Sequence, residues 1–143
     1  MKYLNLGCGS HYSNLPEWTN LDFVSTGNGV IGHNLLNGIP FENESFDLVY
    51  HSHVLEHFSK ENGSKFITEC FRIIKPGGNI RIAVPDLEQI VRNYLKYMEA
   101  GLNNPADEMN RQNYEWILLE MYDQTVRNIS GGDMTKYIYQ DNL

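Results

Sequence analysis

Phe46-Asp47-Leu48-Val49-Tyr50-His51 and, further on, Asn79-Ile80-Arg81-Ile82-Ala83-Val84 are the stretches that decide the fold. Each is a run of strand-forming residues introduced by turn chemistry, Glu42-Asn43-Glu44-Ser45 before the first and Lys75-Pro76-Gly77-Gly78 before the second. Between them Phe66, Ile67, Cys70, Phe71 and Ile74 recur at helical spacing. Pro76 is expected to end that helix and the glycines after it to reverse the chain. Two strands joined by a helical crossover run parallel, and the crossover is right-handed.

Working outward, Lys2 to Leu6 reads as a short strand that stops at the glycine turn Gly7-Cys8-Gly9-Ser10. Thr19 to Phe23 reads as a second strand and Gly29 to His33 as a third, with Ser25-Thr26-Gly27-Asn28-Gly29 as the turn between them. The expectation is an α/β fold with a mostly parallel sheet of about five strands. Beyond Pro85, Asp86 is an expected N-cap with Gln89 three residues on, in the manner of a capping box. Leu87, Ile90, Val91, Tyr94, Leu95 and Met98 form an apolar stripe that Gly101 is expected to close. After the turn Asn103-Asn104-Pro105, a second stripe runs from Tyr114 through Ile117, Leu118, Met121, Tyr122 and Thr125 to about residue 128. Residues 130–143 carry no firm pattern.

The chain has 143 residues, the size of one domain: a sheet core over 1–85 and a helical part over 86–143. Hydrophobic residues make up 41%, which excludes a disordered chain, and no apolar run approaches the ~20 residues of a membrane span. The first residues lack the apolar stretch of a signal peptide. Eleven Lys and Arg against 18 Asp and Glu give a net charge of −7, and the cations are scattered, so nucleic acid is not an expected partner. Cys8 and Cys70 form no disulfide framework, and a reducing cytoplasm is the expected location.

Gly7 and Gly9 let the backbone turn sharply and let a ligand lie against it. The second strand ends near Asp22, whose carboxylate can accept from the two hydroxyls of a ribose. In open α/β sheets both features fall at the carboxyl ends of strands, where ligands bind. The dinucleotide pattern fails: Tyr12 stands where its third glycine belongs, and the thirteen positions from Gly9 to Asp22, interrupted by Pro16, leave little room for a helix.

Leu4-Asn5-Leu6-Gly7-Cys8-Gly9-Ser10 resembles motif I of the class I S-adenosylmethionine-dependent methyltransferases, and Asp22 is similar to the family's ribose-gripping acid. Ile39-Pro40-Phe41 with Ser45-Phe46-Asp47-Leu48-Val49, then Val54-Leu55-Glu56-His57, then Arg72-Ile73-Ile74-Lys75-Pro76-Gly77-Gly78, resemble further blocks of its small-molecule branch. The short link to Asp22 and Val84-Pro85-Asp86-Leu87 resemble a compact bacterial subgroup, and the likeness covers about residues 2 to 95. It implies S-adenosylmethionine as cofactor, a Rossmann-like sheet, and a small-molecule methyl acceptor taking the group on oxygen or nitrogen. It implies cofactor contacts at Gly7, Cys8, Gly9, Ser10, Asp22 and His51. The family commonly has Asp before an apolar residue after its third strand, to accept from the adenine amino group; here Asn34-Leu35 stands there. The family sheet also has seven strands, so the chain resembles a C-terminally shortened member with two helices in place of the final strand pair. The exposed edge this leaves, beside helices rich in large residues, implies a homodimer.

His51, His53 and His57 form His-x-His-x-x-x-His. His53, or His51, at the end of the fourth strand is a candidate base or acceptor-positioning group, against the plain reading of polar residues at a wet strand end. A histidine-metal hydrolase is a third reading, after methyl transfer and a cofactor-binding or assembly module without catalysis. No metal is assigned.

Overall fold

Parallel pairing sets Leu4 beside Val49, and Leu6 beside both Leu21 and His51. This row is the floor of the core. In the computed structural model, which describes residues 1–25 and 27–123, it belongs to a five-stranded sheet. The strands are β1 (Tyr3–Leu6), β2 (Trp18–Asp22), β3 (Val30–Gly32), β4 (Phe46–Ser52) and β5 (Ile74–Ala83). Their order is β3-β2-β1-β4-β5, and every pairing is parallel. The α/β class and strand count expected from the sequence hold.

Helix α1 (Lys60–Ile73) lies between β4 and β5, started by Ser59, whose side chain accepts from the Asn62 N–H at 3.2 Å. It buries Phe66, Cys70 and Ile73 against Leu4, Leu6, Leu21 and Val49. Phe71, expected on the apolar stripe, is instead exposed. Glu69 and Arg72 clamp the loop before β4. Arg72 donates to the carbonyls of Ile39 and Phe41, both at 2.8 Å, and Glu69 accepts from the Ile39 N–H at 3.0 Å.

On the other sheet face, the β1–β2 connection contains no helix. Two buried asparagines hold it: Asn5 Nδ2 donates to the His11 carbonyl at 3.1 Å and Asn20 Nδ2 to that of Ser13 at 2.8 Å. The sequence expectation that a helix would not fit between Gly9 and Asp22 is met by this arrangement.

Strand β5 begins earlier than expected. Ile74 already pairs with Phe46, and the ladder resumes with Asn79 opposite Leu48, so Lys75–Gly78 form a bulge inside the strand, not a reversal before it. Gly77 has φ +80°, and a Cβ on Gly78 would lie 2.9 Å from the Asp47 carbonyl oxygen, so both glycines are needed there. Asp47 braces this corner, accepting from the Lys2 N–H at 2.6 Å and from Lys75 Nζ at 3.0 Å. These bonds, the backbone one first, hold its carboxyl below the usual range.

The chain divides into two compact units, Met1–Val84 and Pro85–Leu143. The described part of the second is a helical hairpin of α2 (Leu87–Asn103) and α3 (Glu108–Asp123), with Ile90 and Ile117 buried and the Tyr94 and Tyr114 rings 5.7 Å apart. Asp86 caps α2, accepting from the Gln89 N–H at 2.9 Å. The Gln89 side chain turns to Asn93 instead, so the reciprocal half of the capping box is absent. Helix α2 runs past Gly101 to Asn103, with Asn104 as its cap. The end of the second stripe at Thr125, the pattern at 130–143 and Thr26 lie outside the described residues. Among the described residues no helix is long and apolar enough to cross a membrane.

Candidate active site at the carboxyl edge of the sheet

Strands β1, β2 and β3 lie in sequence order to one side and β4 and β5 to the other, so the order reverses between β1 and β4. The crevice at such a reversal, outside the carboxyl ends of the strands, is where α/β sheets take their ligands. Gly7 and Gly9 follow β1, Asp22 ends β2, Asn34 and Leu35 follow β3, His51 and Ser52 end β4, and His53 and Val54 follow it. The one sheet edge gathers the residues singled out in the sequence.

The glycine turn is locked to β2. Gly7 and Cys8 donate their N–H groups to the Leu21 carbonyl at 2.8 and 3.3 Å, and Gly9 donates to Asp22 Oδ2 at 2.7 Å. The two glycines have different reasons to be glycine. Gly7 has φ +64°, and a Cβ there would come within 2.3 Å of Val54 Cγ2, so the turn is packed from the β4 side. Gly9 has φ +54°, and a Cβ there would meet no described residue within 4 Å, which leaves a cradle beside the Asp22 carboxylate.

Asp22 is only 6% exposed, and its second carboxylate oxygen is not committed to Gly9. Phe23, next in the chain, is 69% exposed and offers an aromatic face at the same corner. Cys8 is buried, and burial, with the Asp22 charge adding to it, pushes its thiol up to about 11, so it is a packing group and not a nucleophile. Ser10 is exposed. Asn34 uses its side-chain oxygen to cap the short 3-10 helix Leu35–Asn37, accepting from the Leu36 N–H at 3.0 Å, and Leu35 packs against the core. The oxygen expected to accept from an adenine amino group thus already accepts one bond, with a second lone pair remaining.

The histidines separate. His51 is not at a wet strand end: its register beside Leu6 puts it on the core face, fully buried, with its ring edge-on to Phe66 at 5.0 Å. Neither ring nitrogen has a hydrogen-bond partner among the described residues, and burial pushes the imidazole down to about 4. His53 is turned outward by a left-handed backbone, φ +55°, with its N–H tied to the Ala83 carbonyl at 3.1 Å. Its side chain is 49% exposed, and its Nδ1 lies 3.2 Å from Glu56 Oε1. His57 belongs to the short 3-10 helix Leu55–His57, not to the start of α1. Among the described residues no three His, Cys, Asp or Glu side chains converge as a metal site would. An open groove of about 580 Å³ runs along α1, lined by Leu55, Phe58, Ile67 and Phe71 among others, but by none of Gly7, Gly9, Asp22 or His53.

Residues 24–82 match a family described as a methyltransferase domain. The match starts just past Asp22 and leaves the glycine turn outside it. A protein of Mycolicibacterium smegmatis, assigned as an S-adenosylmethionine-dependent methyltransferase, is 34% identical over 56 residues, 39% of this chain and 21% of that protein. An uncharacterised protein of Haemophilus influenzae is 29% identical over 98 residues, 65% of this chain and 38% of that one. The chain thus spans between a fifth and two-fifths of the length of these relatives. A crystal structure from Methanococcus maripaludis, assigned as an S-adenosyl-L-methionine-dependent methyltransferase, superposes with a TM-score of 0.46 at 16% identity, over 85% of this chain and 68% of that one. The matched segment runs from just past the end of β2 almost to the end of β5, so this part of the chain is similar to a methyltransferase domain.

Proposed function

We propose that the chain transfers a methyl group from S-adenosylmethionine to a small-molecule acceptor, on oxygen or nitrogen. The observation that carries this reading is the Gly9 N–H bond to Asp22, which fixes an open glycine cradle against a carboxylate beside the reversal of strand order. The residues fit the cofactor. The space at Gly9 admits a ligand close to the backbone, the remaining Asp22 oxygen can accept from ribose hydroxyls, and Phe23 can stack on a purine. Cys8 and Ser10 contribute backbone, and Asn34 and Leu35 bound the adenine side.

When bound, S-adenosylmethionine supplies a methyl group on a sulfonium that needs no further activation. The chain's part is then to align the acceptor and keep water out. Where the acceptor carries a proton, His53 takes it, since its ring reaches solvent at the end of β4. The buried His51 supports the strand end from the core side instead.

Two further lines belong to the same proposal. Leu87, Val91, Leu95 and Leu102 are exposed on α2, an apolar stripe suited to joining two copies as a homodimer. Both cysteines are free and buried, in keeping with a reducing cytoplasm. The reading is tested by incubating the protein with methyl-labelled S-adenosylmethionine and a small-molecule cell extract. Label should appear in a low-mass product; label confined to protein or nucleic acid, or none transferred, overturns it.

A further inference from the structure

We infer that Glu56 is a positioning residue that holds His53 as its Nδ1–H tautomer, leaving the Nε2 lone pair outward as the proton acceptor. The inference rests on the proposed methyl transfer for its purpose, but not for its geometry.

Glu56 lies in the 3-10 helix just after β4, and its side chain is 15% exposed. Both carboxylate oxygens are buried, and neither receives a hydrogen bond from any described residue. A buried carboxylate without a donor is costly, so the group it faces matters. That group is the His53 ring, with Nδ1 at 3.2 Å, within ion-pair distance though not yet in hydrogen-bond line. Bonds of this kind are often poorly aligned without substrate and tighten when it binds. The His53 backbone supports the same reading. Strict alternation along β4 would put residue 53 on the face of Val49 and His51, under α1; the left-handed φ of +55° turns it away. Strain of this kind at a strand end persists where the surroundings enforce it, and it clusters at functional sites. Here the Ala83 carbonyl fixes the His53 N–H at 3.1 Å, and Glu56 Oε1 lies 3.2 Å from one ring nitrogen.

The chemistry balances without another partner. Nε2 takes the proton of an acceptor hydroxyl or amine as the acceptor forms its bond to the methyl carbon and the carbon–sulfur bond breaks toward sulfur. The imidazolium then formed is offset by the Glu56 carboxylate. Glu56 touches no reacting atom.

Nitrogen-detected NMR of the ¹⁵N-labelled full chain at pH 8 reads the tautomer, with the His53 signals assigned by their loss in His53→Gln. The wild type should show a protonated Nδ1 and an unprotonated Nε2. Glu56→Ala should revert to the Nε2–H form that free imidazole prefers, and Glu56→Asp should restore part of the Nδ1–H population. An Nε2–H ring in the wild type, or a tautomer unmoved by Glu56→Ala, overturns the assignment, and the wild-type spectrum decides even if that variant fails to fold. S-adenosylhomocysteine binding, measured alongside, should be unchanged in Glu56→Ala. Absence of binding in the wild type with the Nδ1–H tautomer intact would overturn the proposed function and leave this assignment standing.

Discussion

Gly9 and Asp22 are joined by a 2.7 Å hydrogen bond from backbone N–H to carboxylate, so the turn after β1 and the end of β2 form one rigid corner. The bond spans thirteen positions of a connection that has no helix to stiffen it. Asp22→Ala should therefore weaken S-adenosylhomocysteine binding about ten- to a hundredfold, since bonds to a charged group contribute roughly 1.5–3 kcal/mol. Calorimetry measures this, with circular dichroism checking the fold. Unchanged affinity in a folded variant removes Asp22 from the site.

The two glycines of the turn should fail in different ways. Gly7→Ala drives a methyl into Val54 and should lower stability by several kcal/mol, as overpacking and left-handed strain add. At Gly9 an added Cβ has no described residue within 4 Å, so the stability loss of Gly9→Val should be smaller, about 1–2 kcal/mol from the left-handed backbone. The side chain would nevertheless fill the cradle and abolish cofactor binding. Denaturant titration and calorimetry separate the two, and normal binding by Gly9→Val removes the cradle from the site.

The buried His51 makes the fold acid-sensitive. An unfolded histidine takes a proton near 6.5, whereas the folded one takes it only at about 4. The unfolded state therefore binds more protons between these values, and stability falls as pH drops through that window. Between pH 7.5 and pH 5 this group alone should cost ~2 kcal/mol. His51→Leu should flatten the profile by that amount in urea melts at the two pH values; an equally steep profile assigns the acid sensitivity elsewhere.

Much of this corner was legible in the sequence because turn chemistry and strand patterning are local. The five strands, the glycine turn and Asp22 all read from neighbouring residues, and so did the lack of room for a helix before β2. What escaped depended on register or on single backbone angles. His51 and His53 look equivalent in His-x-His, yet pairing with Leu6 buries one and a positive φ exposes the other. Glu56 showed only as part of a family block, because burial of a carboxylate beside a particular ring is a tertiary fact. Lys75-Pro76-Gly77-Gly78 read as a break between helix and strand, since nothing local shows that Ile74 has already paired with Phe46.

The exposed stripe Leu87, Val91, Leu95 on α2 leads to the homodimer prediction. Light scattering at micromolar concentration should give twice the mass of one chain, and Leu95→Lys should return it to one. A single-chain mass for the unaltered protein contradicts the dimer.

The central claim is that the corner made by Gly9 and Asp22 holds S-adenosylmethionine, and titration of the protein with S-adenosylhomocysteine in a calorimeter tests it most directly. One saturable site per chain, lost in Gly9→Val and weakened in Asp22→Ala, is the predicted result. No saturable heat up to about millimolar ligand, an affinity no better than about −4 kcal/mol, would contradict it.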